Sequence, residues 1–188
     1  MALHSSMIPL GTPLPDFTLP DLDDNLVDLA RLRGDGALLV VFAANHCPYV
    51  IHLESALGSV VDEFAGRPLA TVAISSNDVD AYPADDVDGI RDQQSRAGWH
   101  FQYLVDSDQS AAQAFGAACT PDFFLYGFDG RLAYRGAFDR STPGNGRPLT
   151  GDALRTAIGA VLAGAPVPEP HQPSMGCSIK WLPENEPA

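Results

Sequence analysis

No apolar stretch in this chain of 188 residues approaches the length that crosses a bilayer, which argues against a helical membrane span. Positive charge is scarce as well. Eleven Lys and Arg stand against twenty-four Asp and Glu, a net charge of −13, and the eleven are scattered rather than clustered. Phosphate backbones and anionic bilayers need clustered cations, so neither a nucleic acid nor a membrane is expected as a partner. The acidity reads mainly as solubility. Cysteine is sparse and odd in number. Three thiols do not make the disulfide framework of a secreted domain, so reactive chemistry is the better account of at least one. Residues 1–15 show no Lys/Arg-rich start followed by an apolar block, and a cytoplasmic location is expected. Internal repeats are absent. The thiols are too dispersed for a zinc site, and no metal or other cofactor is expected. The acidic run Asp78, Asp80, Asp85, Asp86 and Asp88 lacks the spacing of an EF-hand loop and reads as a solvated loop.

What the chain does have is one well-placed thiol. A hydrophobic fraction of 45% with 19% charged residues is ordinary for a globular domain, and the length suits one sizeable core. Residues 37–42 form a short, continuous apolar run of the kind that fills a central strand. Beyond it the period changes: Val50, Leu53, Leu57, Val61 and Phe64 recur at helical spacing. Pro48 then falls in the first helical turn, where its missing N–H has no intrahelical partner to lose. Cys47 therefore stands at a helix N-terminus. The free N–H groups and the positive end of the helix dipole favour the thiolate, the reactive form of cysteine.

The remainder alternates between strand and helix patterns. Residues 16–19 and 26–29 flank a turn-prone Asp-Leu-Asp-Asp-Asn and read as an N-terminal hairpin. Residues 69–75 and 101–105 read as strands, and 85–97 and 108–115 as helices, the second stopped by Gly116. Two apolar runs, 122–128 and 131–137, are joined through Asp129-Gly130 as an antiparallel hairpin. A last helix is expected from Thr150 as N-cap to Gly164. Residues 165–188 are proline-rich, yet Met175, Ile179 and Trp181 predict that this tail packs back onto a domain spanning 1–164.

This order of elements resembles the thioredoxin-like proteins of the redoxin group, related to the alkyl hydroperoxide reductase and thiol-specific antioxidant family. The resemblance covers nearly the whole chain. It rests on Asn45-His46-Cys47-Pro48-Tyr49-Val50, on Cys119-Thr120-Pro121-Asp122, on Tyr134-Arg135-Gly136, on Pro143-Gly144-Asn145 and on the tail Gly176-Cys177-Ser178-Ile179-Lys180-Trp181. It implies an α/β thioredoxin-like fold: a central mixed β-sheet flanked by helices, with a redoxin-type insertion between Cys47 and Pro121. It also implies a cis peptide at Thr120-Pro121 facing the active cysteine. The closest subgroup carries a second cysteine three residues before Cys47, where this chain has Ala44, so the ordinary Cys-x-x-Cys shuttle is lost. Cys47 also resembles the peroxidatic cysteine of peroxiredoxins. The threonine, proline and arginine of that pattern are missing, replaced by Ala44 and Val40 and with Arg135 the nearest later candidate.

These residues point to a thiol-dependent oxidoreductase with Cys47 as sole active-site thiol. Its expected substrates are small-molecule peroxides or disulfides, and an external thiol, thioredoxin or a low-molecular-weight one, would restore it. Cys119 is the nearer candidate for an internal resolving thiol, and Cys177 qualifies only if the tail folds over the site. Ala44, Asn45, His46, Pro48, Thr120 and Pro121 shape the site. His46 and His52 are candidates for proton transfer, each with the plainer alternative of pointing away, His52 onto the solvent face. A monomer or homodimer is expected. A redox-sensitive or degenerate thioredoxin-fold binding protein without turnover is the alternative.

Overall fold

A computed structural model describes residues 2–186. Its centre is a five-stranded mixed sheet built on β4 (Ala37–Phe42), every residue of which is buried. Parallel to β4 runs β5 (Leu69–Ser75), followed by β6 (Gln102–Val105); on the other side β8 (Asp122–Tyr126) and β9 (Leu132–Gly136) pair antiparallel. The order is thus β6-β5-β4-β8-β9, a mixed sheet as expected.

Side chains alternate across a strand, so β4 feeds two cores. Leu39 and Val41 join α2 (Pro48–Asp62), α3 (Val87–Ala97) and α5 (Asp152–Leu162) through Val50, Leu53, Leu57, Ile90, Leu154 and Ile158. Leu38, Val40 and Phe42 face the opposite core, with Leu29 of α1 (Leu29–Arg33) and Ala111, Ala112 and Phe115 of α4 (Ser110–Phe115). Each fully buried Leu or Val contributes about 1.5–3 kcal/mol, which is why a strand with no polar residue must be central.

The N-terminal hairpin is present as β2 (Thr18–Pro20) and β3 (Leu26–Asp28). It ends earlier than its apolar pattern predicts, because Asp28 caps α1 by accepting from the Arg31 N–H at 2.9 Å. Helix α3 starts at Val87 rather than Asp85, capped by Asp86, whose carboxylate accepts from the Gly89 N–H at 2.8 Å. At α5 the expected cap is displaced. Gly151, at φ 63°, is the N-cap, and the neighbouring N–H groups of Thr150 and Gly151 donate to Asp139, at 2.6 and 2.7 Å. Asp139 thus fixes the chain just ahead of the helix, the Leu154 N–H donates to the Phe138 carbonyl at 3.1 Å, and the Thr150 hydroxyl accepts only from the Asp152 N–H, at 3.4 Å.

Strand β10 (Met175–Ser178) is sandwiched antiparallel between β1 (Ala2–His4) and the two-residue β7 (Cys119–Thr120) in a second, three-stranded sheet. Ile179 is buried, and Trp181 packs on the core that holds Phe115.

Candidate active site

Chain leaving β4 passes through buried Ala43 and Ala44, then turns at Asn45-His46 into α2. Cys47 is the N-cap, extended at φ −74° and ψ 118°, with Pro48 in the first turn. Its carbonyl accepts from the Val50 and Ile51 N–H groups at 3.0 and 2.9 Å, so the thiol is fixed relative to the helix axis. The Cys47 Sγ–H donates to the Thr120 carbonyl at 3.1 Å, and the Thr120-Pro121 peptide is cis. The side chain is wholly buried.

What covers it is β10. Cys177 lies opposite Thr120, whose carbonyl accepts from Cys47, and its side chain packs against the buried cluster that contains Cys47. Burial first, and the neighbouring Cys47 second, push the Cys177 thiol up to about 11. Gly176 makes the close seating possible: a Cβ there would stand 2.0 Å from the Thr120 carbonyl oxygen, with backbone on the other side of the contact. Only glycine fits that approach.

Cys119, the nearer candidate in the sequence reading, faces differently. It is wholly buried, with Sγ 3.7 Å from the Pro121 carbonyl, and adjacent residues of a strand point to opposite faces. Burial, reinforced by the neighbouring Asp122, drives its thiol far above the usual range. Cys119 is therefore held toward its protonated form, while the tail thiol packs against the cluster that contains Cys47.

The turn before Cys47 is braced from the inserted region. His46 Nδ1 lies 2.6 Å from Asp85 Oδ2, and the His46 backbone N–H donates to Asp85 Oδ1 at 3.1 Å. Asn77 Nδ2 donates to the same carboxylate at 2.7 Å. A carboxylate only accepts, so Nδ1 carries a proton. The ring stacks on Tyr82, centroids 5.2 Å apart. Asp85 is itself wholly buried, which corrects the solvated-loop reading of the acidic run. Asn45 donates to the Ala84 carbonyl at 2.7 Å and accepts from Arg96, whose guanidinium also grips Glu54 of α2 at 2.8 and 3.0 Å. Gln93 of α3 donates to the Ala44 carbonyl at 3.3 Å.

Two sequence candidates go elsewhere. His52 is half-buried rather than solvent-facing, its Nε2 2.8 Å from the Ser141 hydroxyl. Arg135 donates to the Ile8 carbonyl at 2.8 Å and to His171 Nδ1, so it does not stand in for a peroxidatic arginine. Sequence reasoning missed Asp85 and Asn77. Nothing local separates Asp85 from its exposed acidic neighbours; only the fold brings it to His46. Among the described residues, no group of three or more His, Cys, Asp or Glu side chains is placed to hold a metal ion, and no helix is long and apolar enough to cross a membrane.

Comparison with known proteins agrees with this geometry. No curated protein matches the chain. Two solved structures do so over nearly their full length: a hypothetical protein of Sinorhizobium meliloti 1021 and an uncharacterized conserved protein of Geobacillus kaustophilus. The first is 47% identical, with TM-score 0.93 and coverage of 96% of this chain and 98% of that one. The second is 42% identical, with TM-score 0.94 and coverage of 97% of each. A secreted disulfide oxidoreductase of Mycobacterium tuberculosis is 19% identical with TM-score 0.60, covering 77% of this chain and 96% of its own, and shares the thioredoxin-like fold alone. The sequence profile of the AhpC/TSA family matches residues 10–135, and this chain, a thioredoxin-like redoxin, belongs to that family.

Proposed function

We propose that this protein is a thiol–disulfide oxidoreductase that cycles Cys47 and Cys177 between dithiol and disulfide. One observation carries the proposal: β10 seats Cys177 opposite Thr120, the residue whose carbonyl accepts from the Cys47 thiol, so that its side chain packs against the cluster holding Cys47 at the start of α2. Family membership supports thiol-dependent redox chemistry in general. The second thiol completes a pair that Ala44 leaves incomplete, with the roles exchanged: Cys47 attacks and Cys177 resolves.

Cys47, as thiolate, attacks one sulfur of a partner disulfide; the new bond joins Cys47 to that sulfur, and the other partner sulfur leaves as thiolate and takes a proton. Cys177, deprotonated, then attacks Cys47 Sγ, closing the Cys47–Cys177 disulfide and releasing the second partner thiol. The partner gains two electrons, the protein loses two. An external thiol, thioredoxin or a low-molecular-weight one, reverses the change by attacking the half-buried Cys177 sulfur, so that Cys47 leaves as the thiolate. We extend the proposal to a reducing, cytoplasmic setting, where such thiols are abundant.

Disulfides suit this site better than peroxides. A peroxidatic thiolate needs donors that hold the substrate while charge develops on the leaving oxygen, but Ala44 and Val40 offer no side-chain donor and Arg135 is engaged elsewhere. The test is turnover with glutathione disulfide and with hydrogen peroxide in wild type, Cys47→Ser and Cys177→Ser, with peptide mapping of the oxidised protein. Expected are a mapped Cys47–Cys177 disulfide, no turnover in Cys47→Ser, and a mixed disulfide accumulating on Cys47 in Cys177→Ser. Turnover surviving in Cys47→Ser would refute the proposal. A Cys47 adduct that persists in wild type would favour the binding protein without turnover.

A further inference from the structure

Cys47 is wholly buried, yet a nucleophile that exchanges with another molecule must be reached. Strand β10 is what stands in the way, and it is held unevenly. On its N-terminal side Ser174 is anchored, donating from Oγ to the Gly136 carbonyl at 3.0 Å and from its N–H to Ser5 Oγ at 2.9 Å. On its C-terminal side Ile179 is buried, and the Lys180 N–H donates to Asn77 Oδ1 at 2.8 Å. Between these anchors the strand contributes little to either core. Met175 is exposed, Cys177 and Ser178 are half-buried, and Gly176 has no side chain to bury. Its grip on β7 is two residue pairs long, and its other neighbour, the three-residue and wholly exposed β1, is itself an edge strand that can lift with it. Segments with few buried apolar contacts open locally, far more often than the whole molecule unfolds.

We infer that residues 175–178 form an autoinhibitory strap. Seated, they seal Cys47 and hold Cys177 ready to close the disulfide; lifted between their two anchors, they open Cys47 to the disulfide of a macromolecular partner along the edge of Thr120. The inference rests on the Cys47–Cys177 couple proposed above and adds an order of events to it. Exchange begins with release of the strap and ends with its return, when Cys177 reaches Cys47 again. The disulfide then pins the strap, so the oxidised protein presents the half-buried Cys177 sulfur and keeps Cys47 covered. A built-in gate of this kind leaves the buried thiol unreactive toward bystander disulfides until the strap lifts.

Gly176 is the position that tests it. A methyl group there meets the Thr120 backbone, which β10 relieves only by moving away. In full-length Cys119→Ala/Cys177→Ser protein, where Cys47 is the one remaining thiol, iodoacetamide labelling followed by intact mass reports how often the strap is lifted. Gly176→Ala in that background is expected to label at least about tenfold faster, with circular dichroism unchanged. Equal labelling rates in two folded proteins overturn the strap. Should Gly176→Ala fail to fold, native-state hydrogen exchange of the protein carrying Gly176 decides: the amides of residues 175–178 are expected to exchange well before those of β4. Exchange of both only together overturns the inference. The two readings fail separately. Loss of turnover in Cys47→Ser with unchanged labelling in Gly176→Ala removes the strap alone, whereas faster labelling with turnover that survives Cys47→Ser removes the dithiol alone.

Discussion

Replacing Asp122 by Asn tests the electrostatics beneath the site. Asp122 follows the cis proline, is wholly buried, and has one carboxyl oxygen without a partner; the other accepts from the Ala118 N–H at 3.2 Å. Burial outweighs the backbone N–H groups around it and pushes its pKa up to about 8, from an ordinary 3.8. Between those values the unfolded chain has released the proton and the folded protein keeps it. Stability contributed by this group is therefore full below the ordinary pKa and is lost as pH rises toward 8. The slope is about −1.4 kcal/mol per pH unit, a ceiling of about 6 kcal/mol across the window. Asn mimics the protonated form and removes the slope. Urea denaturation of wild type and Asp122→Asn at about pH 5 and about pH 7 should show the stability difference moving by up to about 3 kcal/mol in favour of the variant. A difference that stays constant over that range would mean Asp122 ionises in the folded state as it does in the unfolded one, and the reasoning fails.

The remaining predictions concern the thiols and the turn that carries Cys47. Asp85→Ala leaves the Asn77 amide and two His46 N–H groups without their buried acceptor and should cost about 3 kcal/mol in urea denaturation; a loss under about 1 kcal/mol would show that water replaces the carboxylate. Cys119→Ala should keep disulfide turnover within about twofold of wild type, since that thiol is held protonated, and a larger loss in the same assay would make Cys119 a participant. Ala44→Cys restores a Cys-x-x-Cys and should confer insulin reduction most strongly when combined with Gly176→Ala, because position 44 is wholly buried. No insulin turnover in either protein would show that the turn no longer has exchange-competent geometry, and turnover that Gly176→Ala leaves unchanged would show that β10 does not limit access.

Much of this arrangement can be read from local patterns. The unbroken apolar run of β4 allows only a central strand, and the change of period at Pro48 puts Cys47 at a helix start before any coordinates are known. Asp129-Gly130 marks the β8–β9 hairpin, although its apolar runs overreach the paired residues, β8 ending at Tyr126. What escapes local reading is set by distant partners. The backbone ahead of α5 is held by Asp139, and its Leu154 N–H by the Phe138 carbonyl, neither of them beside Thr150 in sequence. Asp85 has the same local sequence character as Asp86, yet one is buried under His46 and the other caps a helix in solvent. Cys119 precedes the cis proline, and only the register of β10 on β7 reveals that Cys177 is the thiol brought toward the Cys47 cluster. β1, β7 and β10, two to four residues long and paired across the chain, carry too short a pattern to be read locally.

The small sheet of β1, β10 and β7 joins residues from opposite ends of the chain; the Ser174 N–H, for one, donates to a side chain 169 positions earlier. Contacts of such separation close late, after the loop between them has been ordered. On the ribosome, β4, α2 and β8 emerge and can assemble before residues 175–178 have been synthesised. A newborn chain therefore passes through a stage in which Cys47 is in place at the head of its helix and uncovered. Thiols present at that moment meet it without waiting for β10 to lift.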